Sequence, residues 1–482
     1  MAASGEEDAG RACRLATEPA RPSPGRQTVA ETLRLEEMRA PRYTSYPTAD
    51  RFVEVFGPDD YARHLSARAL GSPAPLSLYV HVPFCESLCH YCGCNRTVTR
   101  SREKSARWLE RLLDEADLVD AVLGGDRRVS QLHLGGGTPT FLDADELTRL
   151  MAGLGERFEF LADAERSIEV DPRTVDREKL ERLVAEGFTR MSFGVQDLDA
   201  DVQVAIGRVQ PTELVRGTLE DARAAGVGSI NVDLIYGLPR QSAARFAATV
   251  ERAVEMRPER IALYHYAHLP ERFRNQRLID AGEIPDSAAK LAIFDVAAER
   301  FEAAGYRYIG MDHFALPGDE LAIAHDAGRL HRNFQGYSTQ PERDLVALGP
   351  SAISRVGTSY AQNHRRLGDW ERAIEAGRLP TLRGLDLDAD DLLRRAVIMA
   401  IMCQGRVCKS AFELSWLIDF DRTFAAELAA LAPYERAGHV RFADDAIVVT
   451  ERGRRTALRS IAAEFDRHLR ARRDRGAFSR VL

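Results

Sequence analysis

The chain has 482 residues, of which 45% are hydrophobic and 29% are charged. This chain is too long to fold around one simple hydrophobic core, so two or three compact units are expected. The composition excludes a disordered, collagen-like or fibrous chain. The 66 basic and 73 acidic side chains give a formal charge of −7, which does not suggest a nucleic-acid partner. No apolar run approaches the roughly 18 residues of a membrane-spanning helix, and acidic residues interrupt the N-terminus where a secretory signal would be apolar. We therefore expect a cytoplasmic protein with no membrane partner.

The first 75 residues are predicted to contain little regular structure. Residues 1–30 are rich in small and charged residues and in proline, without apolar periodicity, which predicts a disordered tail. Residues 31–75 include the aromatic, turn-rich stretch Pro41–Phe52, which favours an irregular but packed segment.

From residue 76 onwards, short apolar runs alternate with longer amphipathic ones. The predicted strands are Ser77–Val82, Ser130–Leu134, Ser167–Val170, Arg190–Gly194, Ile230–Ile235, Arg260–Tyr266 and Tyr308–Met311. Helices are predicted near 104–122, 143–156, 176–186, 211–225, 242–256 and 287–304. Asp143, followed three residues later by Glu146, is typical of an N-terminal capping arrangement. Crossovers of this length imply parallel pairing, so the alternation predicts an α/β fold with a partial or complete parallel barrel.

Strand signals fade after residue 365. Helices are predicted at Leu387–Met402, Ser410–Leu431 and near Arg454–Arg470, with a hairpin formed by His439–Phe442 and Ala446–Thr450. This pattern predicts a small, mostly helical C-terminal domain over 366–482.

Four of the seven cysteines lie within ten residues, directly after the first predicted strand: Cys85, Cys89, Cys92 and Cys94. In a cytosolic chain, such a tight group favours metal binding over disulfides. Thiolates are the ligands of iron–sulfur clusters, and three thiols spaced four and then three residues apart can hold three irons of a [4Fe–4S] cube and leave the fourth open. A zinc site completed by Cys94 or a nearby histidine, and ordinary buried cysteines, remain as alternatives.

Glycine and polar residues follow the ends of later strands. The segment Gly135–Thr140 reads GGGTPT, and consecutive glycines allow the backbone to approach a ligand closely. Glu169, Gln196 and Asp233 end the next three strands, and Ala267 follows the strand after those. Taken singly, each also fits a tight turn or a cap. Because binding residues of barrels gather at the carboxyl ends of the strands, together they favour one site.

These motifs resemble those of a known family. The C-x₃-C-x₂-C loop, with an aromatic residue before its third cysteine, is similar to the signature of the radical S-adenosylmethionine (SAM) superfamily. From about Met38 to Leu482 the chain resembles the oxygen-independent coproporphyrinogen III oxidases (dehydrogenases) of that superfamily. The motifs that carry this resemblance are PRYTSYPT, YVHVPFCESLCHYCGCN, LHLGGGTPT, SIEVDPR, SFGVQD, NVDLIYGLP, YAHLP, GMDHFA, HRNFQGYST and FSRVL.

The resemblance implies a radical SAM barrel of the partial TIM type over 76–365, with residues 31–75 packing near the active site. It also implies a reaction of haem (porphyrin) biosynthesis. A 5′-deoxyadenosyl radical, made from SAM on a reduced [4Fe–4S] cluster, removes hydrogen from a propionate β-carbon of coproporphyrinogen III. Loss of CO₂ and one electron then leaves a vinyl group, and two propionates are converted in this way to give protoporphyrinogen IX. Such a monomeric enzyme would receive electrons from a low-potential donor such as flavodoxin or ferredoxin.

The resemblance further assigns site residues by motif. Cluster ligands are expected at Cys85, Cys89 and Cys92, with Cys94 as a nearby thiol that is not a ligand. The family binds two SAM molecules, and positions around the first are matched by Tyr79, Gly136, Glu169 and Ile353. Positions around the second are matched by Tyr91, Gly137, Thr138, Gln196, Arg208, Asp233 and Ala267.

A substrate with four carboxylates needs cationic partners, preferably arginine forks. The candidates are Arg42 in PRYTSYP and Arg332 in HRNFQGY, which both lie in aromatic segments suited to a loop over the mouth. His265 stands where the family carries Asn, a change at the mouth of the barrel. The alternative function is that of a haem-binding chaperone of the same superfamily. Such chaperones lack the C-G-C-N extension and the PRYTSYPT segment, which are both present here.

Overall fold

The computed structural model describes residues 40–70, 74–340 and 343–470. The predicted tail at residues 1–30 and the terminal FSRVL motif lie outside these residues. The described residues form two compact units. The larger one, here called the barrel unit, comprises Ala49–Arg329 and Ser338–Asp388. The smaller one, here called the C-terminal unit, comprises residues 40–48, 330–337 and 389–470.

The strands are numbered along the described chain. They are β1 Leu76–Val82, β2 Phe84–Cys85, β3 Thr97–Val98, β4 Arg128–Gly136, β5 Glu159–Val170, β6 Arg190–Gln196, β7 Ser229–Tyr236, β8 Arg260–His265, β9 Arg307–Gly310, β10 His313–Ala315, β11 His331–Asn333, β12 Gly336–Ser338, β13 Leu345–Leu348, β14 Ile353–Val356, β15 Ser359–Asn363, β16 Thr381–Asp386, β17 Arg406–Cys408, β18 Val440–Ala443 and β19 Ala446–Val449.

The α-helices are numbered in the same way. They are α1 Pro58–Ala67, α2 Arg102–Val122, α3 Ala144–Gly155, α4 Arg177–Ala185, α5 Ala200–Ala205, α6 Thr212–Ala225, α7 Ala243–Glu255, α8 Ser287–Ala303, α9 Glu320–Asp326, α10 Leu367–Glu375, α11 Ala389–Gln404, α12 Lys409–Trp416, α13 Phe420–Thr423, α14 Ala425–Ala430, α15 Ala432–Arg436, α16 Glu451–Thr456, α17 Leu458–Ala463 and α18 Arg467–Arg470.

A twelve-stranded sheet forms the centre of the barrel unit. Its order is β16-β15-β14-β13-β1-β4-β5-β6-β7-β8-β10-β9. The strands from β1 to β8 in this order pair in parallel, and β13 pairs in parallel with β1 on its other side. The two end strands, β16 and β9, are not hydrogen-bonded to each other in the part of the chain that is described. The predicted α/β partial barrel is therefore confirmed.

The core of the barrel unit is the apolar layer between the sheet and the helices that follow its strands. Leu134, Phe193 and Ile261 from three parallel strands are fully buried in it, together with Trp108 of α2. Strand β6 alternates buried and partly exposed residues, so one face of the strand packs on this apolar layer. Every strand predicted between residues 76 and 311 overlaps an observed one, and each predicted helix of this region matches an observed helix within two residues at either end.

Helix α3 illustrates how local sequence fixes a boundary. The carboxylate of Asp143 accepts a hydrogen bond from the backbone N–H of Glu146 at 2.8 Å, and the Glu146 carboxylate accepts one from the N–H of Asp143 at 3.0 Å. The predicted capping arrangement is confirmed, because two backbone N–H groups at the start of the helix are satisfied reciprocally.

The last predicted barrel strand is present but does not pair with its predicted neighbour. Strand β9 pairs antiparallel with β10, which pairs antiparallel with β8. Met311, which follows β9, adopts a left-handed conformation with φ of 47° and reverses the chain. The resulting hairpin places β10 between β8 and β9, so β9 runs in the same direction as β8 but the predicted parallel pairing is wrong for this strand.

Two long helices predicted in the C-terminal unit are broken into shorter ones. The helix predicted at Ser410–Leu431 ends at Leu417, which is left-handed with φ of 55°, and restarts after Asp419, whose side chain caps Arg422 N–H. The last predicted helix, near Arg454–Arg470, is likewise divided into α16, α17 and α18. The predicted hairpin is confirmed as β18 and β19, and β17 adds a third strand to it that was not predicted.

In the described ranges, no helix is both long enough and apolar enough to cross a membrane.

Candidate active site

The cysteine loop lies between two very short parallel strands. Phe84 pairs with Thr97 and Cys85 pairs with Val98, so β2 and β3 bring both ends of the loop together. Two further backbone hydrogen bonds, from Thr97 to Pro83 at 2.6 Å and from Thr99 to Cys85 at 2.9 Å, hold this junction. The intervening residues 86–96 contain neither helix nor strand.

A cavity of about 470 Å³ opens between this loop and the carboxyl ends of β4, β5, β6 and β7. Most of the predicted site residues line it together. They are Cys85, Cys89, Tyr91, Cys92, Gly136, Gly137, Thr138, Glu169, Gln196, Arg208 and Asp233. The cavity is thus where the barrel rule places a site, at the carboxyl ends of the strands.

Three predicted site residues do not line this cavity. The ring of Tyr79 stacks on His133 with centroids 5.9 Å apart. Ala267 follows β8, and its carbonyl accepts a hydrogen bond from Gln276 Nε2 at 3.1 Å. Ile353 begins β14 and pairs with Gln362 of β15.

The glycines of the GGGTPT segment are required by close packing against the protein itself. Gly136 has φ of +115°, and a Cβ there would lie 2.7 Å from the His81 ring. A Cβ on Gly137 would lie 2.7 Å from the carbonyl oxygen of Phe84. The backbone N–H of Gly136 donates a hydrogen bond to the Glu169 carboxylate at 3.0 Å, which fixes this glycine segment against the end of β5.

Each of the three cysteine sulfurs accepts a hydrogen bond from a neighbour. Thr138 Oγ1 donates to Cys85 Sγ at 3.4 Å, and Arg208 donates to Cys89 Sγ at 3.6 Å. The backbone N–H of Cys94 donates to Cys92 Sγ at 3.4 Å. Such donors favour the thiolate, the form that ligates metal.

Two of the thiols differ in acidity. The hydrogen bond from the Cys94 thiol lowers the pKa of Cys92 to about 6, with help from the positive charge of Arg96. Burial raises the pKa of Cys85 to about 11. Because ligation requires the thiolate, binding of a metal group at Cys85 is coupled to loss of a proton.

The donor set fits an iron–sulfur cluster better than a single ion. Within the described residues, no three His, Cys, Asp or Glu side chains form a group that could hold one metal ion. The three predicted ligands instead surround one cavity, and a cubane cluster takes its thiolates at three separate irons. The zinc alternative gains no support from this arrangement.

Charged groups that line the cavity form two networks. Asp171 accepts hydrogen bonds from Arg208 at 3.0 Å and from Arg173 at 2.7 Å, and these two cations outweigh burial and lower its pKa. Burial, and then the charge of Glu169, raise the pKa of Asp233 to about 7. Asp233 is therefore close to half-protonated near neutral pH.

Several lining or supporting residues were not predicted. Arg173 and Ser192 line the cavity, and Ser192 donates to Asp233 at 3.0 Å. Arg173 stands inside the SIEVDPR motif, two residues after Asp171, so its motif was the available signal. Asn275 and Gln276 contact the cysteine loop from a segment far away in the sequence, and no sequence pattern predicted these contacts.

A partial parallel barrel that opens onto a C-x₃-C-x₂-C loop is the arrangement of radical SAM proteins. The family model described as the Radical SAM superfamily matches residues 79–253. This match contains the cysteine loop and most of the strand ends that line the cavity. A second model, described as the HemN C-terminal domain, matches residues 387–456.

Curated relatives match almost the whole chain. Oxygen-independent coproporphyrinogen III oxidase from Salmonella typhimurium is 45% identical, covering 92% of this chain and 96% of its own. The same-named protein of Pseudomonas aeruginosa is 44% identical, covering 94% and 98%. The solved structure of Escherichia coli coproporphyrinogen III oxidase (HemN), titled a radical SAM enzyme, is 44% identical with a TM-score of 0.85, covering 89% and 97%. The chain belongs to the oxygen-independent coproporphyrinogen III oxidase family.

Proposed function

We propose that this chain catalyses the oxygen-independent oxidative decarboxylation of coproporphyrinogen III in haem biosynthesis. Two propionates become vinyl groups, and the product is protoporphyrinogen IX. One observation carries the proposal: identity of 44–45% to proteins named for this activity extends over 92–94% of the chain and 96–98% of the relatives. A shared barrel alone defines no substrate, whereas likeness over the full length supports a shared one.

The cluster is assigned to the three cysteines that border the cavity. Cys85, Cys89 and Cys92 would hold it, and Cys94 would act through its hydrogen bonds to Cys92. When bound, the cluster and SAM would supply the one-electron chemistry needed to remove a hydrogen atom from the propionate β-carbon. The contribution of the chain is to stabilise three thiolates, through the donors Thr138, Arg208 and the N–H of Cys94.

Two SAM molecules are proposed. For the first, the backbone at Gly136 is fixed by its hydrogen bond to Glu169, and the ring of Tyr79 lies beside the preceding Gly135. Ile353 completes this set.

For the second, Arg208 supplies a guanidinium that matches the carboxylate of a SAM methionine, and Asp233 supplies an acceptor held by Ser192. The other members of this set are Tyr91, Gly137, Thr138, Gln196 and Ala267.

Arg332 is assigned to a substrate carboxylate. Its side chain is only 5% exposed, and its Nη1 has no hydrogen-bond partner among the described residues. Nε donates to the carbonyl of Arg42 at 3.2 Å, and the guanidinium lies 4.7 Å from the ring centroid of Tyr337. A buried cation with an unused donor fits an anionic ligand, because an unsatisfied buried donor is costly.

Affinity for coproporphyrinogen III tests this assignment. Arg332→Ala and Arg42→Ala are compared with Arg441→Ala, an exposed arginine of the C-terminal unit. We expect binding to weaken by about tenfold or more in Arg332→Ala, the loss of a charge-assisted hydrogen bond. Unchanged affinity in Arg332→Ala would refute the assignment of Arg332, and unchanged affinity in Arg42→Ala would exclude Arg42 as a second partner.

The reaction itself is tested by anaerobic incubation of the reconstituted chain with coproporphyrinogen III, SAM and a chemical reductant. The reductant replaces the proposed physiological donor, a low-potential flavodoxin or ferredoxin. Formation of divinyl product, dependent on SAM, is the expected result for the proposed cytoplasmic monomer. A haem-binding chaperone would bind haem and form no vinyl product, and a zinc protein would purify colourless. Either result would overturn the proposed function.

A further inference from the structure

Two adjacent side-chain amides hold the carbonyls of the cysteine loop. The two N–H groups of Asn275 Nδ2 are shared among three of the four carbonyls of residues 89–92, at N–O distances of 2.8–3.2 Å. Gln276 Nε2 donates to the fourth, that of Tyr91, at 2.8 Å. All four consecutive peptide groups are therefore fixed by one pair of neighbouring residues.

The loop has few other means of fixing its backbone. It contains neither helix nor strand, and its N–H groups make a turn from Cys92 to the carbonyl of Cys89 at 3.4 Å and a contact from His90 to Ile206 at 2.9 Å. Buried carbonyls without donors are costly, so the two amides decide which way each peptide plane faces. The direction of each peptide plane in turn sets the direction of the Cys89 and Cys92 side chains.

The amides are themselves held in place. Both belong to the short 3₁₀ helix Arg274–Leu278. Gln276 is 2% exposed, and its Oε1 accepts a hydrogen bond from the N–H of Leu269 at 2.5 Å. Its Nε2 also donates to the carbonyl of Ala267 at 3.1 Å, so one side chain links Ala267 to Tyr91.

The preceding residue packs against the loop directly. A Cβ on Gly93 would lie 3.1 Å from the ring of Phe273, which shows that this ring occupies the space beside the loop. The segment from Phe273 to Gln276 thus contacts the loop with both an apolar ring and two polar groups.

We propose that Asn275 and Gln276 are positioning residues for the cluster. They hold residues 89–92 in the ligating conformation in the cluster-free chain, so that little conformational entropy of the loop is lost when the cluster binds. Gln276 additionally couples the loop to Ala267, on the side assigned to the second SAM. The inference rests on the proposed function for its cofactor, and neither residue touches the reacting atoms.

The test uses Asn275→Asp and Gln276→Glu. Both changes keep the size of the side chain and remove the NH₂ donor, and Gln276→Glu retains an oxygen for the N–H of Leu269. Arg274→Gln, an exposed position of the same 3₁₀ helix, is the matched control. Hydrogen exchange of amides 88–94 is measured in the cluster-free chain, and the rate of iron loss to a chelator is measured after anoxic reconstitution.

We expect exchange in residues 88–94 to accelerate about tenfold in each amide variant, with iron lost several times faster, while the control matches the parent. Gln276→Glu should also raise the KM for SAM more than it lowers kcat. Parent-like exchange and iron retention in both variants would overturn the proposal. If exchange rises equally throughout the barrel unit in both variants, the proposal is also overturned, because the two amides would then have a merely structural role. Hydrogen exchange and iron loss do not require turnover, so an absence of vinyl product would count against the proposed function alone.

Discussion

Substitution of Gly137 by alanine is a direct test of the cavity geometry. The added Cβ would lie 2.7 Å from the carbonyl oxygen of Phe84 and 3.0 Å from its nitrogen. Phe84 has no room to retreat, because it is fully buried between Trp108 and Phe141, with ring centroids 6.0 and 5.3 Å away. The backbone of one segment must therefore move.

The expected cost is roughly 1–3 kcal/mol of unfolding free energy, the usual range for overpacking a tight core. The displacement also reaches the cysteines, since Thr138 bonds both the Phe84 carbonyl, at 2.7 Å, and the Cys85 sulfur, at 3.4 Å. Cluster content after anoxic reconstitution should fall with stability.

The assay is urea unfolding of the cluster-free chain together with iron and sulfide analysis. Gly217→Ala is the matched control, because Gly217 lies inside α6 with nothing within 4 Å of its added Cβ. The control should gain about 0.5–1 kcal/mol and keep its cluster. If Gly137→Ala unfolds at the same urea concentration as the parent and holds as much iron, the reasoning is refuted.

Three further predictions follow from the site and the fold. Arg208→Lys should raise the KM for SAM roughly tenfold, because a single ammonium cannot replace the guanidinium that donates to Asp171 at 3.0 Å and to the Gly194 carbonyl at 2.6 Å. Initial rates over a range of SAM concentrations test this prediction, and an unchanged KM would contradict it. Asp233 has a pKa of about 7 in the folded chain against 3.8 for a free carboxyl, so the cluster-free chain should lose up to roughly 4 kcal/mol of unfolding free energy as pH rises from 4 to 7, and no more above pH 7. Urea unfolding of Asp233→Asn should show a weaker dependence of stability on pH. An equal pH dependence in the parent and the variant would exclude Asp233 as its cause. Asp143→Ala should lower the free energy of unfolding by about 1 kcal/mol through loss of the α3 cap, whereas Asp145→Ala, in the first turn of the same helix, should lower it less. Equal urea midpoints for the parent and Asp143→Ala would refute this prediction.

The parallel strands of the barrel were predictable because each carries closely spaced apolar residues and is followed by a helix of crossover length. The strands β13 to β16 were missed, since they are four to six residues long and pair largely as hairpins. In the C-terminal unit, the break at Leu417 depends on one left-handed residue. Helical periodicity continues across it, so the pattern predicted one helix where the structure has several.

The candidate site divides in the same way. Residues that belong to compact motifs, such as the cysteines and GGGTPT, were identified from their spacing. The amides of Asn275 and Gln276 were not, because they lie more than 180 residues along the chain from the loop they hold. Contacts of this kind arise only once the chain has folded, and no local pattern encodes them.

The unpaired ends of the central sheet leave its width less constrained than that of a closed barrel. In a barrel closed by hydrogen bonds around its whole circumference, the number and tilt of the strands fix the diameter. Among the described residues, β16 and β9 are not hydrogen-bonded to each other, so ring closure does not fix the width of this sheet. For the proposed tetrapyrrole, a broad disc with four charged arms, the curvature of the sheet then sets how wide a reactant can lie against it.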